Sequence, residues 1–194
     1  MKTDVVIIGA GPAGIFTAIE MIREGSRQKI TIVEKGSAIE NRHCPKEKTK
    51  RCVSCKPYCH ITTGFSGAGA FSDGKLTTGT KSPLIRTVLQ TFVDHGAPED
   101  ILYIAKPHVG TDLLKGVVRS MRQKIIQLGG QVRFDTRLTG LMMRGESIEG
   151  ITMLCGGETQ EIRTDTVILA IGHSARDTMQ TPVSYTHLTL PTNS

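Results

Sequence analysis

A glycine-rich hexapeptide near the N-terminus has the residue types and spacing that let a main chain approach a phosphate group. It reads Gly-Ala-Gly-Pro-Ala-Gly over residues 9–14. The first glycine permits a tight turn, the second lets the backbone approach a pyrophosphate, and the third allows close helix–strand packing. The N-terminus of the following helix also presents N–H groups and a positive dipole end to the phosphates. The motif therefore predicts a dinucleotide-binding turn, the alternative being a glycine-rich turn that binds nothing.

An acidic residue follows this motif at the distance typical of a ribose contact. Glu34 lies 20 residues beyond Gly14 and ends the apolar run at residues 30–33. We expect its carboxylate to accept hydrogen bonds from ribose hydroxyls and to disfavour a 2′-phosphate by charge. We expect the neighbouring Lys35 to lie on the same site. The motif and the acid do not separate FAD from NAD, so an NAD-binding dehydrogenase stays an alternative.

A second glycine-rich segment, residues 64–75, reads Gly-Phe-Ser-Gly-Ala-Gly-Ala-Phe-Ser-Asp-Gly-Lys. Glycines without side chains let a flat ring or a diphosphate lie against backbone N–H groups. Lys75 would supply positive charge near the phosphates or a reduced flavin, and Asp73 would hold Lys75 or a ring edge. The segment therefore predicts a second wall of a cofactor site, the alternative being a surface loop.

Four of the five cysteines form a compact cluster, Cys44, Cys52, Cys55 and Cys59. Four thiolates can ligate Zn²⁺ or an iron–sulfur cluster, although this spacing matches neither usual pattern. Basic residues between positions 46 and 56 would offset the negative charge of the thiolates. A dithiol–disulfide pair, incidental thiols, and a zinc module that binds nucleic acid through 46–56 are the alternatives.

The elements that must position these residues follow from the hydrophobic pattern. Short apolar runs ended by glycine predict buried parallel strands, and apolar residues at helical spacing predict helices. Residues 37–81 show no clear period. The predicted strands are 5–8, 30–33, 132–136 and 167–171, the predicted helices are 13–23, 83–95 and 111–128, and the predicted antiparallel strands are 138–143, 148–154 and 161–164.

This order of elements resembles the two-dinucleotide-binding flavoproteins, and five segments together resemble a bacterial family of FAD-dependent dehydrogenases. The segments are 9–14, 44–59, 67–76, 106–112 and 172–177. The resemblance implies an α/β fold: a Rossmann-type parallel sheet with helices on both faces and a small antiparallel excursion. It also implies FAD as cofactor. The cofactor-binding residues expected from the motifs and the resemblance are Gly9, Gly11, Pro12, Ala13, Gly14, Glu34, Lys35, Gly67, Ala68, Gly69, Asp73, Lys75, Leu138 and Gly172.

Composition and length set further expectations. The net charge of +6 is concentrated near residues 46–56, and aromatic residues make up only 4% of the 194, so we expect no nucleic-acid partner. We expect neither a signal peptide nor a membrane span, and therefore a cytoplasmic protein. Residues 183–194 lack periodicity and resemble a translated sequencing adapter, so we expect a non-native tail after a domain at 1–182. We expect this domain to be an N-terminal fragment, inactive alone, of an oxidoreductase that acts on a small molecule.

Overall fold

Two sheets organise residues 1–173, Ala175 and Thr178, which are the residues that the computed structural model describes. The expected tail at 183–194 lies outside them, as does most of 174–177. The strands are β1 (Val5–Ile8), β2 (Ile30–Val33), β3 (Gln131–Arg133), β4 (Thr136–Arg144), β5 (Ser147–Cys155), β6 (Glu158–Arg163) and β7 (Thr166–Leu169). A parallel sheet has the order β3-β2-β1-β7, and an antiparallel sheet has the order β4-β5-β6.

Four α-helices connect these strands in the described part of the chain. They are α1 (Pro12–Arg23), α2 (Lys46–Thr49), α3 (Leu84–Asp94) and α4 (Thr111–Gln127). Single 3₁₀ turns occur at Ile39–Asn41, Gly67–Phe71 and Glu99–Leu102. The long helices and most strands agree with the hydrophobic pattern within a few residues. None of the described helices has the length and apolar composition needed to cross a membrane.

Strand β1 shows how the parallel sheet buries both of its faces. Val5 and Ile7 point into a core shared with α1 and α4, whereas Val6 and Ile8 point into a second core. That second core is formed with the antiparallel sheet, including Ile151. Successive side chains of a strand face opposite ways, so a fully apolar strand needs a cover on each face. The α/β class is confirmed, but the expectation of helices on both faces is corrected, since within the described residues the antiparallel sheet covers the second face.

The predicted strand at 132–136 is also corrected. Strand β3 ends at Arg133, and β4 of the other sheet already begins at Thr136. Asp135, between them, has a positive φ of 48°, which turns the chain from one sheet into the other. The alternation of apolar and polar residues continues from β3 into β4 because the two strands are adjacent in sequence. This alternation alone does not reveal that the chain changes from one sheet to the other.

The 3₁₀ turn at Ile39–Asn41 is fastened to α4 by one carboxylate. Glu40 accepts hydrogen bonds from Arg122 at 2.6 and 2.9 Å and from Arg119 at 2.9 Å. The hydrogen bond from Arg122 is the main cause that lowers the pKa of Glu40 from its ordinary 4.5 to about 2. Burial opposes this shift, while a main-chain hydrogen bond, the charge of Arg122 and the hydrogen bond from Arg119 add to it. This contact fixes the chain between β2 and the cysteine cluster relative to the core.

The shifted pKa of Glu40 predicts a pH-dependent stability. A carboxyl group whose pKa is lowered by folding stabilises the native state above its unfolded pKa, and this contribution is lost as the pH falls towards the folded value. We therefore expect the free energy of unfolding to fall between pH 5 and pH 2 less steeply in Glu40→Gln than in the parent chain. Urea unfolding across this pH range measures it. The exposed Glu146→Gln is the control, and equal slopes in the parent and Glu40→Gln would refute the assignment.

Candidate functional site

A cavity of about 260 Å³ opens at the carboxyl ends of β1, β2 and β7. In the strand order β3-β2-β1-β7, the chain runs outward from β1 through β2 to β3 and later returns to place β7 on the opposite side of β1. Ligands of open parallel sheets bind at such a switch point, outside the carboxyl ends of the strands. The cavity is lined by Ile8, Gly9, Gly11, Pro12, Val33, Glu34, Lys35, Thr62, Thr63, Gly64, Gly67, Ala68, Thr136, Leu138, Ala170, Ile171, Gly172, His173, Ala175 and Thr178.

Two glycines of the first motif are required by the fold itself. Gly9 has a φ of +103°, and a Cβ there would lie 2.4 Å from the carbonyl oxygen of Ala170. A Cβ on Gly14 would lie 2.0 Å from the carbonyl oxygen of Gly9 and 3.3 Å from Ile7 Cγ2. The predicted roles of the first glycine in the turn and of the third in helix–strand packing are confirmed.

Gly11 differs from both of these glycines. Its φ of −73° and ψ of −177° are extended values open to any residue. A Cβ built on it meets no atom within 4 Å, and the residue lines the cavity. Neither the backbone conformation nor the packing of the described residues therefore requires glycine at this position, and the lack of a side chain leaves the main chain open to the cavity.

The carboxylate of Glu34 lines the cavity but also has a structural role that the sequence pattern does not reveal. It is 6% exposed and accepts three main-chain hydrogen bonds, from the N–H groups of Ala10 and Gly36 at 2.8 Å and of Gly64 at 3.1 Å. It thereby joins the first glycine turn, the end of β2 and the second glycine-rich segment. An ionised carboxylate has about four lone-pair sites, so about one acceptor position remains for a ligand hydroxyl.

Arg42 also holds the second glycine-rich segment in place, through hydrogen bonds to main-chain carbonyl groups. This arginine is not among the residues identified from the sequence. The side chain is 4% exposed and donates from Nε and Nη2 to the carbonyl of His60 at 3.0 and 2.8 Å. It also donates to the carbonyls of Ile61 and Gly67 at 2.8 and 2.9 Å, and to that of Phe65. No local pattern signals this arginine, because all its acceptors lie at least 18 residues away.

Burial and a nearby negative charge shift the pKa of Arg42 in opposite directions. Burial lowers the pKa of its guanidinium to about 10, and the negative charge of Glu34 raises it. The group remains a cation at neutral pH, and its charge is placed 4.8 Å from the ring centre of Phe71. A buried cation with its donors satisfied by carbonyl oxygens fixes loop backbone that would otherwise carry unpaired polar groups.

The second glycine-rich segment contacts the first motif directly. The N–H of Ser66 donates to the carbonyl of Ala10 at 2.7 Å, and a Cβ on Gly67 would lie 3.4 Å from Gly11 Cα. Gly67 and Ala68, which the sequence predicts to be cofactor-binding, both line the cavity. The two glycine-rich segments therefore form adjacent walls of one site.

The structure does not bring the rest of this segment to the cavity. Gly69, Asp73 and Lys75 do not line it, and neither do Ala13 and Gly14 of the first motif. Asp73 and Lys75 form an exposed ion pair at 2.7 Å, which lowers the pKa of the aspartate and raises that of the lysine. The prediction that these side chains contact a cofactor has no geometric support in the described residues.

The segment at 106–112 has a positioning role for this loop. The N–H of Val109 donates to the carbonyl of Gly74, and that of Leu76 to the carbonyl of Pro107, both at 2.9 Å. The imidazole of His108 binds the carbonyl of Asp73. Two of the segments that define the sequence resemblance therefore pair with each other.

The remaining predicted positions Lys35, Pro12, Leu138 and Gly172 lie on the cavity, while Thr62, Thr63 and Thr136 line it without a sequence signal. The four clustered cysteines lie elsewhere, on a cavity of about 470 Å³. Within the described residues, no three Cys, His, Asp or Glu side chains are arranged to hold a metal ion. The metal site predicted at Cys44, Cys52, Cys55 and Cys59 therefore stays a prediction.

Comparisons with known proteins agree with this geometry. Residues 3–189 match the family model described as pyridine nucleotide-disulphide oxidoreductase. The chain is 39% identical over 180 residues to an uncharacterized protein of Clostridium beijerinckii, covering 93% of this chain and 33% of that protein. It is 25% identical over 177 residues to the digeranylgeranylglycerophospholipid reductase of Methanosarcina mazei, covering 88% and 38%.

Among solved structures, THI4 of Thermovibrio ammonificans superposes with a TM-score of 0.60 at 16% identity, covering 97% of this chain and 64% of that chain. At this identity the similarity concerns the fold alone. The chain spans between a third and two fifths of the length of the two curated relatives it matches.

The role of Arg42 predicts a large loss of stability on its replacement. Arg42→Met leaves the carbonyls of four loop residues unpaired and Glu34 without a compensating charge, so we expect the free energy of unfolding to fall by about 3–5 kcal/mol. Urea unfolding measures it. Arg144→Met, at an exposed ion pair with Glu149, is the matched control and should cost less than about 1 kcal/mol. Similar losses in the two variants would contradict the role assigned to Arg42.

Proposed function

Because the chain belongs to the pyridine nucleotide-disulphide oxidoreductase family, we propose that it is the FAD-binding part of a flavin-dependent dehydrogenase. Within this assignment the FAD pyrophosphate lies at the N-terminus of α1, against Gly11. The adenosine ribose is bound by Glu34. The fold supports dinucleotide binding by an oxidoreductase domain, and the choice of FAD rests on the segments that resemble FAD-dependent dehydrogenases.

The observation that carries the proposal is the open space at Gly11. The fold accounts for Gly9 and Gly14 through clashes with main-chain oxygens, but it does not account for Gly11. A pyrophosphate that lies against the backbone at the start of a helix does account for it, because a side chain would occupy the place of the phosphates. The helix dipole and the N–H groups of the first turn then face the anion.

The rim of the cavity fits the adenosine half of such a cofactor. Glu34 retains acceptor capacity beside its three main-chain bonds, which suits a ribose hydroxyl. The same buried negative charge repels a 2′-phosphate, which favours FAD or NAD over NADP. Leu138, buried on β4, gives the cavity an apolar surface next to this position, which suits an adenine ring.

In this proposal the residues of this chain bind and orient the cofactor, and the cofactor itself carries out the redox chemistry. When bound, FAD supplies the capacity to accept or donate an electron pair. Glu34 and Arg42 hold the two glycine-rich walls at a set separation, so the protein's own hydrogen bonds define the cavity. Preformed sites lose less conformational freedom on binding, and this raises the affinity that the same contacts provide.

Titration of the purified chain with FAD, followed by flavin fluorescence and absorbance, tests the assignment. NAD⁺ and NADP⁺ are titrated in parallel. Saturable FAD binding, with neither nicotinamide dinucleotide competing at similar concentration, is the expected result. Binding of NAD⁺ without FAD would replace the proposal by the alternative of an NAD-binding dehydrogenase.

The position of Gly11 predicts a variant that folds but does not bind. We expect Gly11→Ala to keep the unfolding midpoint of the parent chain and to lose at least about tenfold in FAD affinity, which corresponds to about 1.4 kcal/mol. The Cβ enters open space in the protein and the volume of the pyrophosphate in the complex. Fluorescence titration and urea unfolding give the two readouts.

Two other glycines are the controls for this experiment. Gly79→Ala places a Cβ in open space away from the cavity and should change neither readout. Gly14→Ala should destabilise the fold, because its Cβ meets the carbonyl oxygen of Gly9. An unchanged FAD affinity in Gly11→Ala would remove the observation on which the proposal rests.

A further inference from the structure

Residues 43–63, which we call the insert, lack a core of their own. The structure describes every residue of this segment, and none of them is buried, although Arg42 before it and Gly64 after it are. Its regular structure is the single turn of α2. Ordering a residue costs about 1–2 kcal/mol of conformational free energy, which apolar burial normally offsets. The insert needs another source of stabilisation.

The contacts of the insert with the domain are concentrated at its end. Arg42 binds the carbonyls of His60 and Ile61 there. Around α2 the hydrogen bonds are local, such as that from Lys48 N–H to the carbonyl of Pro45 at 3.0 Å. The hydroxyl of Thr49 likewise donates to the carbonyl of Arg51 at 2.8 Å. Such local bonds define turns but do not join the first half of the insert to its second half.

The four thiols of the insert share one cavity. Cys44, Cys52, Cys55 and Cys59 all line the space of about 470 Å³, together with His60. All four are free thiols, two of them exposed and two half-buried. Free cysteines that serve packing are among the most buried residues of proteins. Their exposure here argues against a packing role and leaves their sulfur chemistry as the reason for the cluster.

We infer that Cys44, Cys52, Cys55 and Cys59 bind one Zn²⁺ ion, which cross-links the insert in place of a hydrophobic core. Zinc takes four thiolates in a tetrahedron at about 2.3 Å, and such sites supply folding free energy directly. Each thiol releases its proton to solvent on binding, and four thiolates with Zn²⁺ carry a net charge of −2.

The surroundings suit this charge and the movement that binding requires. The basic residues of the segment offset the charge of the site; they are Lys46, Lys48, Lys50, Arg51 and Lys56. No three of the described Cys, His, Asp or Glu side chains already form a ligand set, so the sulfurs must approach one another. Metal sites commonly form together with the local fold, and a segment without core contacts can rearrange at little cost.

Metal analysis of the full chain, purified under reducing conditions without chelator, tests the inference. We expect one zinc per chain and negligible iron. Co²⁺ added to the chelator-stripped chain should give the absorption of a tetrahedral thiolate site, and added Zn²⁺ should abolish it. Zn²⁺ should also increase the protection of residues 43–63 against proteolysis, a readout independent of FAD binding and of activity.

Single substitutions identify the ligands. Cys52→Ser and Cys55→Ser should each weaken Zn²⁺ binding at least tenfold, whereas Cys155→Ser, on β5 outside the insert, should leave it unchanged. Circular dichroism confirms that each variant keeps the domain fold.

Three outcomes would overturn the zinc assignment. They are iron with labile sulfide in place of zinc, four thiols that react with a thiol reagent at the same rate with and without Zn²⁺, and equal loss of affinity in Cys155→Ser and the insert variants. None of these outcomes depends on whether FAD is the cofactor, so the two proposals can fail separately.

Discussion

Two buried charges, the carboxylate of Glu34 and the guanidinium of Arg42, hold the loops on which the candidate site depends. Glu34 accepts three main-chain N–H groups and Arg42 binds the carbonyls of four loop residues. Loops that approach each other without side chains have little apolar surface to bury. Hydrogen bonds from a charged group to the main chain therefore replace hydrophobic packing, and each is stronger than a bond between neutral groups.

This arrangement explains why the glycines of the site divide into two kinds. Gly9, Gly14 and Gly67 allow the main chains of β7, α1 and the second glycine-rich segment to approach within van der Waals distance. Gly11 faces space that the described residues leave open. We therefore expect substitutions at the first kind to act on folding and substitutions at Gly11 to act on binding of the proposed cofactor. The structure thus separates the glycines that the packing requires from the one that it leaves free.

The domain and the insert obtain their order in different ways. The parallel sheet is buried on both faces by alternating apolar residues, so its stability comes from burial. Residues 43–63 bury none of their side chains and are attached mainly through Arg42, and we propose that a metal supplies the rest. The attachment matters for the cavity, because Thr62 and Thr63 at the end of the insert form part of its wall.

The sequence by itself determined the βαβ unit, the long helices, the antiparallel hairpin and the position of the dinucleotide-binding turn. These features depend on residues close together in the chain, whose apolar period and glycine spacing are readable locally. Tertiary structure decided which element covers the second face of the sheet, that Asp73 and Lys75 lie away from the cavity, and that Arg42 organises the loops. Each of these depends on contacts between segments distant in sequence or without a period. A buried arginine that binds loop carbonyls leaves no local pattern, because its partners are main-chain atoms that every residue carries.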